Sequence, residues 1–286
     1  MQTTLPHLIP GSDLSTANSP KTDRQDSPPD SDAQKDYESL KKDYESLKND
    51  YESLRNDPRQ KLIVALDVST AAAAHKIVAA LGESASIYKV GMQLYTAEGP
   101  QIVRDLVGAG RRVFLDLKYH DIPNTVASAV HEAAQLGVSM LTVHASGGSK
   151  MLRAAVDAAT ATNPDLIVLG VTVLTSLDQN DLEKIGMSGT VQDEVLRLAG
   201  LALASGCKGI VTSAREASRL RAVLGHNFAL VTPGVRPAGA GHGDQVRVVT
   251  PAEAIAAGAS HIVVGRPITE AADPAAEARA ILGQIG

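Results

Sequence analysis

From residue 59 to the C-terminus, the chain alternates short apolar runs with longer, often alanine-rich stretches in which apolar residues recur at helical spacing. The apolar runs, in chain order, are KLIVALD, SIYKVG, RVFLDLK, SMLTVHA, LIVLGVTVL, KGIVTS, FALVTPG and HIVVGRP. These runs predict strands, and intervening stretches such as TAAAAHKIVAAL and PNTVASAVHEAAQLG predict helices. Strands that alternate with helices pair in parallel through right-handed crossovers. Eight such repeats predict a closed (β/α)8 TIM barrel of the α/β class.

The length of this segment agrees with that fold. The span from residue 58 to residue 286 is close to the ~250 residues that a (β/α)8 barrel usually takes. An open, doubly wound sheet is the alternative. That fold more often carries a glycine-rich phosphate turn after its first strand, whereas the first strand here ends in ALDVST.

The chain before residue 58 has a different texture. Residues 1–34 are rich in Ser, Thr, Asp and Pro, which predicts a disordered tail because little burial is available to offset the entropy of ordering. Residues 35–57 contain the heptads DYESLKK, DYESLKN and DYESLRN, whose Tyr and Leu residues fall on one seam of a helix. This short heptad-repeat helix is predicted to be a linker that either promotes oligomerisation or serves as a solvated spacer.

Composition narrows the partners that the protein can have. The chain carries 32 acidic and 27 basic residues, which provide no basic surface for nucleic acid or an anionic membrane. The N-terminus lacks the basic and apolar regions of a leader peptide, and no run approaches the ~18 apolar residues of a membrane span. A cytoplasmic protein is expected. The single cysteine, Cys207, excludes an intrachain disulfide and a cysteine-based zinc cluster, and its apolar neighbours predict a buried core residue.

Polar residues gather at the ends of the predicted strands, although they were not used to define the strands. They are Asp67, Lys89, Asp116, Lys118, His144, Thr175, Ser176, Arg236 and Arg266, and Gly265 directly precedes the last of them. In (β/α)8 barrels the C-terminal strand ends form one rim, and the chemistry takes place there. The sequence therefore predicts an active site at this rim.

The stretch FLDLKYHD, residues 114–121, carries the densest chemistry. Because side chains alternate along a strand, Asp116 and Lys118 are predicted to point the same way, with Asp121 close behind. His120 is predicted to face away from the site in a structural role. His144 is left open between a structural role and a catalytic one.

The seventh and eighth strands add a second signal. Barrel enzymes frequently bind phosphate in the loops after these strands, and here TPGVR contributes Arg236 and VGRPI contributes Gly265 and Arg266. A guanidinium group offers a planar fork of donors that matches phosphate oxygens. The glycine-rich stretch PGVRPAGAGHGDQ is predicted to be either a mobile lid or a plain connector.

Taken in order, the motifs ALD, YKVG, DLKYHDIPNT, LTS, PGVRPAGAGHGDQ and VGRPIT closely resemble the bacterial form of orotidine 5'-monophosphate decarboxylase. The resemblance covers residues 59–286 and gives the heptads no role. It implies decarboxylation of orotidine 5'-monophosphate to uridine 5'-monophosphate, the last step of de novo pyrimidine synthesis. It further implies a reaction without metal or cofactor, in a homodimer whose active sites lie at the subunit interface.

The resemblance also implies a role for each candidate residue. Lys118 would donate the proton, held between Asp116 and Asp121, and Asp121, Ile122 and Thr125 would serve the partner's site. Asp67 and Lys89 would contact the ribose, and Thr175 or Ser176 would contact the pyrimidine edge. The residues expected to hold the 5'-phosphate are Arg236, Gln245, Gly265 and Arg266.

Two other functions remain open at this stage. Magnesium-dependent sugar-phosphate lyases share the DxKxxD layout, but they need a further acid for the metal and are not expected to follow the motif with IPNT. The second alternative is an assembly protein whose heptads matter and whose barrel merely binds a nucleotide. The presence of Lys118, Asp116 and Asp121 argues against that alternative.

Overall fold

The eight apolar runs form the strands of a closed barrel. The computed structural model describes residues 57–237 and 249–286. All strands are parallel and follow chain order around the barrel, which closes by pairing the first strand with the eighth. They are β1 (Leu62–Ala65), β2 (Ile87–Gly91), β3 (Arg112–Tyr119), β4 (Met140–His144), β5 (Ile167–Val171), β6 (Gly209–Val211), β7 (Ala229–Thr232) and β8 (His261–Val264). The predicted TIM barrel is confirmed, and the alternative of an open sheet is wrong.

Helices occupy the intervals between the strands. They are α1 (Ala71–Leu81), α2 (Met92–Glu98), α3 (Gln101–Gly108), α4 (Pro123–Gln135), α5 (Gly148–Thr162), α6 (Gln179–Lys184), α7 (Val191–Ala204), α8 (Ala214–Leu224), α9 (Pro251–Ala256), α10 (Arg266–Thr269) and α11 (Pro274–Ile285). The last helix, α11, packs against α1 and so closes the helical layer where the barrel also closes.

Local sequence signals explain where several helices begin and end. Thr70 and Thr190 accept backbone N–H bonds from the first turns of α1 and α7. Thr250 forms a reciprocal capping box with Glu253 at the start of α9. Gly225 ends α8 at a φ of 80°, in the left-handed region that favours glycine. These boundaries depend on nearby residues rather than on long-range packing.

Alternation along the strands divides the core into two parts. Ile63 points into the barrel, where it packs with Phe114 and Leu169 in a small inner cluster. Its neighbours Leu62 and Val64 belong to the larger cluster between the sheet and the helices. Each strand is buried on both faces, which explains why the strands read in the sequence as nearly continuous apolar runs.

Several predictions concern residues at the edge of the described chain or beyond it. The tail at 1–34 and all of 35–57 except Asp57 lie outside the described residues, so the division of the chain at residue 58 stays a prediction.

Two further predictions concern described residues. No helix within the described ranges is long and apolar enough to cross a membrane. Cys207 is buried as predicted, and burial raises the pKa of its thiol to about 12.

The floor of the barrel contains an ionisable pair. Arg112 begins β3 and His261 begins β8, both at the end opposite the C-terminal mouth. Loss of solvation, aided by the positive charge of Arg112, lowers the pKa of His261 to about 4. His261 is therefore neutral in the folded protein at neutral pH.

This lowered pKa predicts that acid destabilises the fold through His261. Between pH 6.5 and pH 4 the unfolded chain binds a proton that the folded chain does not, so stability is complete above pH 6.5 and falls as the pH drops towards 4. The full shift corresponds to about 3 kcal/mol, and we expect about 2 kcal/mol because the side chain is only partly buried.

The test is the His261→Gln variant. Between pH 7 and pH 4 it should lose about 2 kcal/mol less unfolding free energy than the wild-type protein, measured by urea titration. His226→Gln, at an exposed position, is the control, and equal pH dependence in both variants would contradict the assignment.

Candidate active site

A row of alternating charges lies at the C-terminal mouth of the barrel. Lys89 and Asp116 point inward because they continue the inward faces of β2 and β3. Lys89 Nζ lies 2.8 Å from Asp67 Oδ1 and 3.9 Å from Asp116 Oδ2. Lys118 Nζ donates to both oxygens of Asp116 at 2.9 Å. Because each charge has an opposite charge beside it, attraction within the row partly offsets the free energy of removing these groups from water.

The end of β3 departs from regular pairing at this row. Between the Leu115–Leu141 pair and the Tyr119–Val143 pair, β3 advances four residues while β4 advances two. Lys118 lies in this irregular stretch with a φ of 52°, and within the described chain it is the one non-glycine residue with a positive φ. The structure does bring Asp116 and Lys118 together, as alternation predicted. The local backbone, however, is a bulge rather than a regular strand.

Two adjoining cavities open beside the charged row, and Lys89 and Asp116 line both of them. The first is mainly apolar, with walls formed by Phe114, Val171, Val173, Leu174, Val211, Pro233 and Val263. The second lies at the ends of β7 and β8, where it is lined by Asp67, Arg236, Gly265 and Arg266 among others. An apolar compartment thus adjoins a compartment that contains two arginines.

The structure separates the two candidates that follow β5. Thr175 lies in the wall of the apolar cavity, whereas Ser176 is exposed and does not line it. Arg236 is buried despite its charge. Gln245 and most of the predicted lid, residues 238–248, lie outside the described residues.

Asp121 does not approach Lys118 within its own chain. The chain turns away at Ile122 to start α4, and Asp121 Oδ1 instead accepts the Ile122 N–H at 2.6 Å. No ion pair joins Asp121 to Lys118 within the described residues. Asp121, Ile122 and Thr125 are all exposed on the surface beside the mouth. A single described chain therefore supplies one carboxylate to Lys118, not two.

The two histidines lie beside the row but outside the cavities. The ring centroids of His120 and His144 are 5.3 Å apart. Loss of solvation, with smaller effects of His120 and Lys118, holds the pKa of His144 below its usual value. His120 is exposed, and neither ring lines either of the two cavities at the mouth. This placement agrees with the prediction that His120 faces away from the site.

Sequence reasoning missed three residues at the mouth. Gly91 leaves the space that Lys89 occupies, and Thr142 bonds to Asp116 and to the backbone of Lys118. The hydroxyl of Thr212 lies in the apolar cavity wall, buried and without a hydrogen-bond partner in the described structure. The alternation that identified Asp116 could also have identified Thr142, which lies two residues after the inward-facing Met140.

Parallel barrels carry their chemistry at this mouth. The fold and the charged mouth define the class of the protein as a (β/α)8 barrel with its candidate active site at the C-terminal ends of the strands.

Comparison with known proteins identifies the family. The model described as "Orotidine 5'-phosphate decarboxylase / HUMPS family" matches residues 60–281. Orotidine 5'-phosphate decarboxylase of Halorhodospira halophila is 54% identical over 225 residues, covering 79% of this chain and 95% of that protein. The protein of the same name from Hydrogenovibrio crunogenus is 50% identical over 229 residues, covering 80% of this chain and 97% of its own length.

Solved structures that resemble this chain point to the same family. The crystal structure of orotidine 5'-phosphate decarboxylase from Lactobacillus acidophilus is 39% identical with a TM-score of 0.73, and the match covers 79% of this chain and 99% of that one. An uncharacterized conserved protein from Geobacillus kaustophilus is 36% identical with a TM-score of 0.68, over 79% of this chain and all of that one. The chain belongs to the orotidine 5'-phosphate decarboxylase / HUMPS family, and the resemblance read from the sequence motifs is confirmed.

Gly91 offers a test of the charged row that does not remove any charge. A Cβ atom at this position would lie 2.8 Å from Lys89 Nζ and 3.2 Å from Asp67 Oδ1. Gly91→Ala should therefore push the flexible end of Lys89 out of the row. It should lower the kcat/KM of the reaction proposed below about tenfold or more, since small displacements of positioning groups are costly. Thermal unfolding should change little.

Gly200→Ala is the matched control for this substitution. Gly200 lies inside α7 with nothing within 4 Å of an added Cβ atom. Alanine there should raise helix stability slightly and leave kcat/KM unchanged. Equal activity of the two variants would show that the space at Gly91 does not matter to the row.

Proposed function

We propose that this chain catalyses the decarboxylation of orotidine 5'-monophosphate to uridine 5'-monophosphate, with Lys118 as the proton donor. The observation that carries the proposal is the row Asp67, Lys89, Asp116 and Lys118 at the barrel mouth. The family description names a second group, HUMPS, beside the decarboxylase. The relatives at 50–54% identity that are reported above are named orotidine 5'-phosphate decarboxylase, which favours the first activity.

The reaction requires a positive charge close to C6 of the pyrimidine. When the bond from C6 to the carboxylate breaks, carbon dioxide leaves and the electron pair stays on C6, in the plane of the ring. No conjugated carbonyl group can delocalise that pair. The Lys118 ammonium would stabilise the developing negative charge and then transfer a proton to C6, and solvent would return the proton to the lysine.

Asp116 would aim the ammonium group and balance its charge. Both of its carboxylate oxygens accept hydrogen bonds from Lys118 Nζ. A substrate carboxylate placed next to Lys118 would also meet the negative charge of Asp116. Repulsion between the two carboxylates would be relieved as carbon dioxide departs.

The adjoining cavities support one orientation of the nucleotide. The 5'-phosphate would bind near Arg236, Gly265 and Arg266, with Gln245 as a further candidate, and the ribose hydroxyls would face Asp67 and Lys89. The pyrimidine would then occupy the apolar cavity, with Thr175 rather than Ser176 at its polar edge because Thr175 lies in the wall. Binding energy at the phosphate end can hold the ring in place over the lysine.

The second carboxylate of the proposed array would come from a partner subunit. Asp121, Ile122 and Thr125 lie exposed beside the mouth of their own chain, and 66% of the Ile122 surface reaches solvent. A homodimer in which these residues reach the neighbouring mouth would complete an Asp-Lys-Asp arrangement around Lys118. Met92, which directly follows β2, is likewise 57% exposed.

The first test is turnover itself. Conversion of orotidine 5'-monophosphate should be visible as a loss of absorbance, should persist in excess chelator, and should fall by at least about 10³-fold in Lys118→Ala because the charge at C6 is lost. Lys76→Ala, an exposed lysine on α1, is the control and should keep full activity. Lack of turnover by the intact protein, or turnover only of a sugar phosphate with magnesium, would contradict the proposal.

Subunit mixing tests the shared site. In a mixture of Lys118→Ala and Asp121→Ala proteins, a mixed dimer holds one site in which both residues are intact. Random exchange should therefore restore about a quarter of wild-type activity, since about half of the dimers are mixed and each has one working site of two.

The control for this experiment removes the possibility of complementation. Mixing Lys118→Ala with the double variant Lys118→Ala/Asp121→Ala should restore nothing. If exchange is verified with two affinity tags and the first mixture stays inactive, Asp121 does not act across the interface.

A further inference from the structure

The bulge at the end of β3 faces one residue of β4. Pairing advances from Leu115–Leu141 to Tyr119–Val143, so Thr142 is the β4 residue opposite the three residues from Asp116 to Lys118. Thr142 is fully buried and continues the inward face of Met140. Its side chain therefore points at the irregular stretch that carries the ion pair.

One atom of Thr142 bonds to both members of that stretch. Thr142 Oγ1 accepts the backbone N–H of Lys118 at 2.9 Å and donates its own proton to Asp116 Oδ1 at 3.0 Å. A hydroxyl group suits this position because it can accept and donate at the same time. The same Asp116 oxygen also accepts from Lys118 Nζ, so the hydroxyl closes a small ring of bonds around the ion pair.

The backbone of Lys118 needs such support. A φ of 52° is disfavoured for a residue with a Cβ atom, and it persists only where surrounding contacts hold it. The bulge removes the Lys118 N–H from the regular ladder, and a buried N–H without an acceptor is costly. Thr142 supplies that acceptor from its side chain.

We infer that Thr142 is a positioning residue for the proton donor. It holds Lys118 in the left-handed conformation and fixes the rotamer of Asp116, so that the ammonium group projects into the cavity at one place. Its effect on catalysis rests on the function proposed above. Its effect on the geometry of Lys118 does not depend on the substrate.

The test compares two substitutions at Thr142 with a matched one elsewhere. Thr142→Val keeps the shape and loses the hydroxyl, and Thr142→Ser keeps the hydroxyl. Thr232→Val makes the same change at an equally buried threonine on β7, whose hydroxyl donates to the backbone carbonyl of His261. Turnover of orotidine 5'-monophosphate and affinity for uridine 5'-monophosphate are measured for each.

Thr142→Val should lower kcat about tenfold or more while KM and product affinity stay within about threefold, because a positioning defect affects the transition state more than binding. Thr142→Ser should keep most of the activity, and Thr232→Val should keep all of it. A Thr142→Val enzyme with wild-type kcat, or one with raised KM and unchanged kcat, would overturn the inference. If Thr142→Val does not fold, Thr142→Cys is used instead, because a thiol is only a weak hydrogen-bonding group. A Thr142→Cys enzyme as active as Thr142→Ser would then overturn the inference.

A crystal structure of Thr142→Val gives a second, independent readout. We expect the φ of Lys118 to leave the left-handed region or Nζ to leave Asp116. A structure in which both are unchanged would overturn the inference whatever the substrate is. An intact protein without turnover would instead refute the proposed function, and the variant structure would still decide the role of Thr142.

Discussion

Lys118 Nζ lies 2.9 Å from both oxygens of Asp116, and much of the barrel mouth is arranged around this ion pair. The pair is partly buried, so its charges need compensation that water cannot fully provide. Lys89 supplies part of it from β2, and Thr142 supplies a hydrogen bond from β4. Three neighbouring strands thus contribute to one charged group, and the parallel pairing of β2 with β3 and of β3 with β4 brings them together.

The charged row also limits what the mouth can bind. Its cationic members face two cavities, one apolar and one that contains Arg236 and Arg266. A ligand with a flat, weakly polar end and an anionic end fits both compartments at once. This division supports the proposed nucleotide, and under that proposal binding at the phosphate end would be separate from chemistry at Lys118.

The two ends of the barrel serve different purposes. At the floor, loss of solvation and the charge of Arg112 lower the pKa of His261, and neither residue lines the two cavities at the mouth. At the mouth, a strained backbone at Lys118 is tolerated and held by side-chain bonds. Barrels commonly separate stability and function in this way, because the eight loops at the C-terminal face can vary while the strands below them stay packed.

The sequence by itself determined the order and number of the strands, the closed barrel and the rim of polar residues. Strand periodicity and helix caps are local, and alternation of eight strands with helices leaves few topologies to choose from. The same alternation placed Asp116 and Lys118 on one side.

Tertiary structure alone decided the remaining features of the site. The bulge that turns Lys118 to a positive φ depends on pairing with β4, the turn that carries Asp121 away from Lys118 depends on the start of α4, and the choice of Thr175 over Ser176 for the cavity wall depends on packing. The bulge and the cavity wall arise from contacts between residues far apart in the chain, which no spacing within a single motif encodes, and the turn at Asp121 matters only through where the rest of the barrel places Lys118.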